Sequence, residues 1–95
     1  MQDLLTALCD PTRRAALALL RDGGEHCVCE MMARLDASQS RMSRHMKRLR
    51  EVGLVLDRRD AQWVRCRRNP DLAPEIDAVI DAVLAAERRL ERKVA

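Results

Sequence analysis

The sequence predicts a small, mainly α-helical domain that carries one β-hairpin. Of its 95 residues 47% are apolar, but the single tryptophan, Trp63, is the only aromatic residue. Cores of β-sandwiches are rich in aromatic and β-branched side chains, so this composition favours helices. A chain of this length holds a single domain over residues 1–95. Such a domain buries only a modest part of its surface, and many gain stability by dimerising.

Two short helical segments are expected first. Residues 3–8 predict a short helix. A second helix should begin at Pro11, because Asp10 can accept hydrogen bonds from the free N–H groups there and proline needs no donor at that position. Gly23 and Gly24 should end it, since glycine tolerates the left-handed conformation that closes a helix.

A helix-turn-helix pattern follows. Apolar residues at helical spacing predict a short helix over 28–35, and Ser38 can cap a further helix over 39–52. Gly53 is suited to end this helix. Its expected buried stripe is Met42, Met46 and Leu49, with His45 as a packed core histidine beside them.

A charged hairpin and a long helix complete the chain. Residues 54–58 and 62–67 alternate apolar and polar side chains, which predicts two strands with the tip at residues 59–61. Pro74 should begin the last helix, whose apolar face runs over about five turns. The domain has little left to cover this face, so we expect a symmetric homodimer. The expected interface residues are Ile76, Val79, Ile80, Val83 and Leu84.

About five helices and a two-stranded hairpin in this order indicate a winged helix-turn-helix domain, dimeric through its terminal helices. No apolar run approaches the roughly 18 residues of a membrane span. The start of the chain lacks the basic segment of a signal peptide. We therefore expect a cytoplasmic protein without membrane association, in which the four cysteines should be reduced.

Charge is concentrated in the middle of the chain. Residues 38–68 carry ten Lys or Arg against three acids, a net +7 within a chain whose total is +3. A basic middle on an acidic frame is typical of nucleic-acid binding, although a merely solvated charged face remains an alternative.

In a helix-turn-helix the second helix enters the major groove of double-stranded DNA. Glutamine can pair with adenine and arginine with guanine, and serine and lysine can bind phosphate. The expected DNA-binding residues are Gln39, Ser40, Arg41, Ser43, Arg44, Lys47 and Arg48, with Arg58 and Arg59 at the hairpin tip.

Two cysteines, Cys27 and Cys29, lie just ahead of this pattern at a predicted helix N-terminus. The helix dipole and free N–H groups favour thiolates there. Thiolates select soft ions such as zinc and copper(I), and by the same softness trivalent arsenic and antimony. Positions i and i+2 of a helix point about 200° apart, so both sulfurs can bind one ion only where the helix start is irregular. Two small buried hydrophobic residues remain the alternative interpretation.

The chain resembles the ArsR/SmtB family of metalloregulatory repressors, most closely its arsenite-responsive members. The likeness covers residues 3–72. It rests on Leu8-Cys9-Asp10-Pro11-Thr12-Arg13, on Glu25-His26-Cys27-Val28-Cys29-Glu30-Met31, on residues 35–46, on Gly53-Leu54-Val55, and on Trp63-Val64 with Asn69-Pro70. The resemblance implies a homodimeric repressor that leaves its operator when As(III) or Sb(III) binds Cys27 and Cys29.

One position departs from that family. Arsenite repressors with this motif often have a third cysteine where this chain has Met32, and a thioether replaces a thiolate poorly. Cys9 and Cys66 are the possible third ligands. Cys9 precedes a helix of about 18 Å that leads to the pair, and Cys66 shares strand parity with Val64 and should face the core. We expect two thiolates to bind the ion, with solvent, a small anion or one of these thiols in the third position.

Other functions remain open at this point. The ligand could be a divalent soft metal (zinc, cadmium or lead) that His26 or Glu30 helps to bind. Alternatively, the cysteines could serve a thiol redox regulator or an interaction module. An enzyme is not expected, because no nucleophile with a His/Asp partner, phosphate loop or open metal triad is recognisable.

Overall fold

The structure is a computed structural model that describes the backbone of residues 1–94 and the side chains of residues 1–92. These residues form five α-helices and three strands. Their bounds are α1 Gln2–Leu8, α2 Pro11–Leu19 with a short 3-10 turn at Leu20–Asp22, β1 His26–Cys27, α3 Val28–Leu35, α4 Gln39–Glu51, β2 Val55–Asp60, β3 Trp63–Arg68 and α5 Pro74–Val94. None of the described helices is long and apolar enough to cross a membrane.

The ends of the helices follow local chemistry, as the sequence predicts. The Asp10 carboxylate accepts a hydrogen bond of 2.9 Å from the backbone N–H of Arg13 at the start of α2. Ser38 accepts one of 3.3 Å from the N–H of Arg41 at the start of α4. Gly23 and Gly53 adopt φ values of +80° and +86° where the chain leaves α2 and α4, a region open to glycine at little cost. The predicted helix-turn-helix is therefore confirmed.

The hairpin belongs to a three-stranded antiparallel sheet in the order β1-β3-β2. The sequence analysis missed β1, whose His26 and Cys27 pair with Cys66 and Arg65 of β3. It also placed the hairpin turn too early, because Arg59 still pairs with Val64 and Asp60 with Trp63. The chain turns at Ala61, which has a φ of +55°. Arg58 and Arg59 thus lie within β2 and not at the tip, since a two-residue loop is enough to join the strands.

The core lies between the helices and the inner face of the sheet. Leu17, Met31, Met42 and Leu49 have no exposed surface, and all four belong to one cluster. Helices α2, α3 and α4 therefore share a single packed interior. A displacement of α3 must be accommodated by α4, because interiors packed at this density do not deform freely.

The apolar face of α5 is partly covered by the chain itself. Ile80 and Leu84 are 0% and 2% exposed and lie in the monomer core, so they cannot form the open interface expected of them. Ile76, Val79 and Val83 are half-buried against that core. The sequence cannot separate these two groups, because they share one stripe of a helix and only the tertiary packing decides which side is covered.

Arg68 fastens α5 to the sheet. Its guanidinium is 9% exposed and lies 2.7 Å from Asp81 and 2.9 Å from Asp77, both on α5. It also donates to the carbonyl oxygen of Asp77 at 3.1 Å. The last strand and the last helix are therefore joined by a largely buried ionic contact as well as by apolar packing.

Candidate thiol site and nucleic-acid surface

Cys27 and Cys29 lie at the junction between the sheet and α3. Cys27 is the last residue of β1 and also the N-cap of α3, with an extended backbone of φ −70° and ψ 139°. It therefore lies outside the regular helix, and the divergence expected for positions i and i+2 of a helix does not arise. The Cα atoms are 5.2 Å apart and the two sulfur atoms are in contact as a disulfide pair. The start of α3 is therefore irregular at Cys27, as the binding of one ion by both sulfurs requires.

The pairing differs from the prediction of four reduced thiols, which the structure shows for Cys9 and Cys66 only. The extended backbone at Cys27 turns its side chain toward that of Cys29. The spacing of the two cysteines in the sequence does not by itself predict this contact. The N–H of Cys29 also donates to the sulfur of Cys27 over 3.4 Å. A helix N-terminus stabilises negative charge, so this position favours a thiolate when the pair is reduced.

Neither remaining thiol joins the pair. Cys66 is fully buried, and its thiol donates to the Asp57 carboxylate at 3.2 Å. Burial, together with this hydrogen bond and the charge of Asp57, raises the pKa of Cys66 to about 12. Cys9 is exposed at the end of α1. Within residues 1–94, no group of three or more His, Cys, Asp or Glu side chains is placed to hold a metal ion.

His26 is held by two carboxylates. Its Nδ1 lies 2.8 Å from Glu30 and its Nε2 lies 3.1 Å from Asp22. The pKa of His26 is raised, mainly by the hydrogen bond to Glu30 and secondly by the hydrogen bond to Asp22. Because both ring nitrogens are engaged, neither is directed to the thiol pair. This arrangement disfavours His26 and Glu30 as ligands of a divalent metal shared with the cysteines.

A groove of about 600 Å³ joins the thiol pair to α4 and the hairpin. Its walls include Cys27, Cys29, Gln39, Ser43, Lys47 and Arg59. The structure thus brings together two sets of residues that the sequence assigned to separate tasks, the ion-binding thiols and part of the reading face. An ion bound by the cysteines would therefore lie in the same groove as the side chains expected to contact DNA.

Three of the five positive charges of α4 are open, whereas Arg50 at its end binds Asp57 of β2. Gln39, Ser40, Arg41, Ser43, Arg44 and Lys47 are all exposed. Among the described residues, Arg41, Arg44 and Lys47 have no carboxylate partner, whereas Arg48 is half-buried and lies 3.8 Å from Asp3. The exposed side chains project from the first two turns and the middle of the helix. This is the part that a helix-turn-helix presents to base edges and phosphates.

The positive charges of the sheet are mostly engaged. Arg58 donates to both carboxylate oxygens of Glu25, at 2.8 Å each. Arg65 pairs with Asp60 at 3.1 Å. Arg59 has no carboxylate partner in the part of the chain that the structure describes, and it lines the groove. Of the two hairpin arginines expected to reach DNA, only Arg59 is therefore open to do so.

The comparisons with known proteins agree with this architecture. Residues 10–56 match the model of the bacterial regulatory protein family arsR. The arsenic resistance transcriptional regulator ArsR2 of Pseudomonas putida is 43% identical over 84 residues, which are 88% of this chain and 73% of that protein. This chain belongs to the arsR family. The arsenical resistance operon repressor of Escherichia coli is 40% identical over 85 residues, covering 90% of this chain and 73% of its own length.

A solved structure superposes on the chain as well. The structure of HlyU from Vibrio cholerae gives a TM-score of 0.74 at 36% identity, over 85% of this chain and 84% of that one. The arsR-family chain is therefore a DNA-binding transcriptional regulator of the repressor type, with a winged helix-turn-helix fold, and not an enzyme. The expected fold class and family are confirmed.

Proposed function

We propose that this arsR-family chain is a metalloid-responsive repressor, which binds double-stranded operator DNA as a homodimer and releases it when As(III) or Sb(III) binds Cys27 and Cys29. The observation that carries the proposal is the position of the two sulfurs, in contact with each other and on the wall of the groove beside α4. The arsenic-resistance relatives support the choice of ion.

The donors present fit a soft trivalent ion. Two thiols can displace two hydroxides of arsenous acid, forming two As–S bonds and releasing two waters, with no change in the oxidation state of arsenic. The pair must be reduced for this step, since only a thiolate is a ligand. The third position on the ion is then left to solvent or a small anion, because Cys66 stays protonated in the core.

The consequence for DNA follows from the fold. Cys27 caps α3, and α3 leads to α4 through a turn in which Asp36 has a φ of +51°. Met31 of α3 and Met42 of α4 lie in the same core cluster. An ion held by both sulfurs of the reduced pair fixes their separation and orientation, and so reorients the start of α3. Because the two helices share one packed interior, the reading helix moves with it.

The homodimer is proposed on the remaining apolar surface of the terminal helices. Ile76, Val79 and Val83 of α5 are only half-buried by their own chain, and Leu5 of α1 is 46% exposed. A symmetric partner would cover these side chains and place two reading helices on one operator, as pseudo-palindromic sites require.

Single replacement of the cysteines tests the site. Cys27→Ser and Cys29→Ser are expected to bind operator DNA normally in a mobility-shift assay yet to remain bound when arsenite or antimonite saturates the wild type. Cys9→Ser, an exposed thiol outside the groove, is the matched control and should respond as the wild type does. Normal release of DNA from either pair variant contradicts the assignment, and a parallel titration with zinc, cadmium and lead separates the divalent alternative.

Contact between the sulfurs favours a second candidate, a thiol redox regulator. Here two electrons and two protons leave the dithiol to an external disulfide or peroxide as the Cys27–Cys29 bond forms. Operator affinity compared between oxidised and reduced protein, without any metalloid, decides this case. A difference that disappears in Cys27→Ser supports redox control, and equal affinities exclude it.

A further inference from the structure

The ion pair between Glu25 and Arg58 joins the thiol segment to the hairpin. The two residues are 33 positions apart, and both guanidinium–carboxylate bonds are 2.8 Å long. Glu25 precedes Cys27 by two residues, and Arg58 lies in the middle of β2 opposite Arg65. We propose that Glu25 is a positioning residue, which transmits the state of the Cys27–Cys29 pair to the hairpin through Arg58. The inference rests on the proposed function only for the identity of the ion.

Segment 25–27 has three attachments to the rest of the molecule. Glu25 binds Arg58 in the hairpin, and Cys27 pairs with Arg65 along the backbone of β3. His26 binds Glu30 of α3 and Asp22. Cys27 therefore belongs to the sheet and to α3 at once, and a change in its backbone is felt on both sides. The proposed route through α3 to α4 accounts for only one of them.

Of the three attachments of segment 25–27, the ion pair of Glu25 constrains the orientation of its partner most strongly. Strand β1 has only two residues, so its backbone pairing with β3 is short. A carboxylate held by both nitrogens of one guanidinium fixes distance and orientation together. Reorienting Cys27 displaces Glu25 two residues away, and Arg58 must follow or lose a bond. The hydrogen bond from Arg58, together with the positive charges of Arg58, Arg67 and Arg65, lowers the pKa of Glu25.

The hairpin supplies a matched control. Arg65 and Asp60 form an ion pair of 3.1 Å in the same sheet, and both belong to the hairpin itself. Asp60→Asn removes a contact of the same kind without touching segment 25–27. Glu25→Gln removes the charge at the proposed link and keeps the size of the side chain. A general loosening of the hairpin would affect both variants alike.

Trp63 is a built-in reporter of the hairpin. It is the only tryptophan, begins β3 and is 45% exposed. The full-length reduced protein is titrated with arsenite, and separately oxidised with diamide, while Trp63 emission is recorded. Operator affinity is measured with and without arsenite to give a coupling factor, which by linkage equals the effect of DNA on arsenite affinity.

We expect both treatments to shift Trp63 emission in the wild type and in Asp60→Asn. In Glu25→Gln the shift should be mostly lost, although arsenite still binds with the same stoichiometry. The coupling factor should fall about fivefold, the change that an exposed ion pair of this kind can transmit. Rescue by Glu25→Asp, which restores the charge, should be partial because the carboxylate is one methylene shorter.

Three results overturn the inference. The first is an equal Trp63 shift in Glu25→Gln and the wild type, since direct contact of the ion with the groove needs no link. The second is an equal loss in Asp60→Asn, and the third is a wild-type hairpin that responds to neither treatment. Failure of the proposed function looks different: arsenite then leaves both the wild-type hairpin and the operator complex unchanged, while the diamide arm still tests the link.

Discussion

Helix α4 and the β2–β3 hairpin are the two basic regions of the molecule, and the first two turns of α4 differ from most of the hairpin in leaving their positive charges without an acid partner. Nearer the end of α4, Arg48 and Arg50 are paired with Asp3 and Asp57. On α4, Arg41 and Arg44 are exposed and have no carboxylate partner within the described residues. In the hairpin, Arg58 and Arg65 are each held by an acid at 2.8 and 3.1 Å. An arginine already bonded to a carboxylate must give up that bond before it can bind a phosphate. The net charge of a region therefore overstates its capacity for DNA.

The contrast assigns different work to the two regions. Open charges on α4 are available to the negative DNA surface at no internal cost. Paired charges in the hairpin hold its strands to neighbouring segments. Arg58 is bound to Glu25, the residue before β1, and Arg68 is bound to Asp77 and Asp81 of α5. The hairpin is thus attached through its paired charges both to the segment at β1 and to α5. Arg59, on the wall of the groove, and Arg67 of β3 resemble the open residues of α4, since both are exposed and have no carboxylate partner within the described residues.

Replacing Arg44 should have the largest effect on this comparison. Arg44→Ala is expected to weaken operator binding by about 1–3 kcal/mol, or about 5- to 150-fold, and to relax the sequence preference at one base pair. Arg65→Ala, the paired counterpart, should weaken it by less than about 1 kcal/mol. Fluorescence anisotropy with operator and base-substituted duplexes measures both. Equal losses would mean that the pairing seen in the hairpin has no bearing on DNA binding.

A smaller effect is expected at Lys47, which lies further along α4. Neutralising one phosphate contact should reduce the slope of log K against log salt by about 0.9 for each subunit. Lys47→Gln should show this change, while Arg65→Gln should leave the slope unaltered because Asp60 already neutralises that charge. Titrations between about 50 and 200 mM salt resolve the difference. An unchanged slope for Lys47→Gln would place this lysine outside the DNA contact.

The sequence predicted the elements that carry their own end signals. Asp10 with Pro11, and Ser38, mark the starts of α2 and α4 at the residues where the structure has them. Strand β1 gave no signal, because a two-residue strand exists only through its pairing with a distant part of the chain. The turn was misplaced for a related reason. Its left-handed residue is Ala61, whereas local chemistry would suggest glycine or asparagine there.

The candidate site was predictable in its residues but not in its connections. The spacing of Cys27 and Cys29 indicated that the helix start must be irregular, and the structure supplies the irregularity through the extended backbone of Cys27. Nothing in the sequence shows that Glu25 meets Arg58 across 33 positions. The same holds for the division of the arginines into open and paired ones. Such contacts depend on how the sheet is assembled, and a local pattern does not record it.

The smallest of the three effects concerns Cys66, on the inner face of the hairpin. Its thiol keeps a proton in the folded state because burial and Asp57 raise its pKa from the ordinary value of 9.0 to about 12. The folded state therefore binds more protons than the unfolded one above about pH 9, and stability must fall as pH rises there. Below that pH the contribution is complete. Relative to Cys66→Val, the reduced wild type should lose a little under 1 kcal/mol at about pH 9.5.

Urea unfolding of both proteins from about pH 7.5 to 10 measures this difference, and comparing them cancels the other titrating groups. The variant keeps Asp57 satisfied, since Arg50 still binds its carboxylate. Parallel stability curves would mean that Cys66 ionises in the folded protein as readily as in the unfolded chain. A thiolate would then be present on the inner face of the sheet. Cys66 is the strand partner of His26, and His26 directly precedes Cys27. In that case protonation would no longer argue against Cys66 as the third ligand, and the two-sulfur site proposed here would have to be tested against a three-sulfur one.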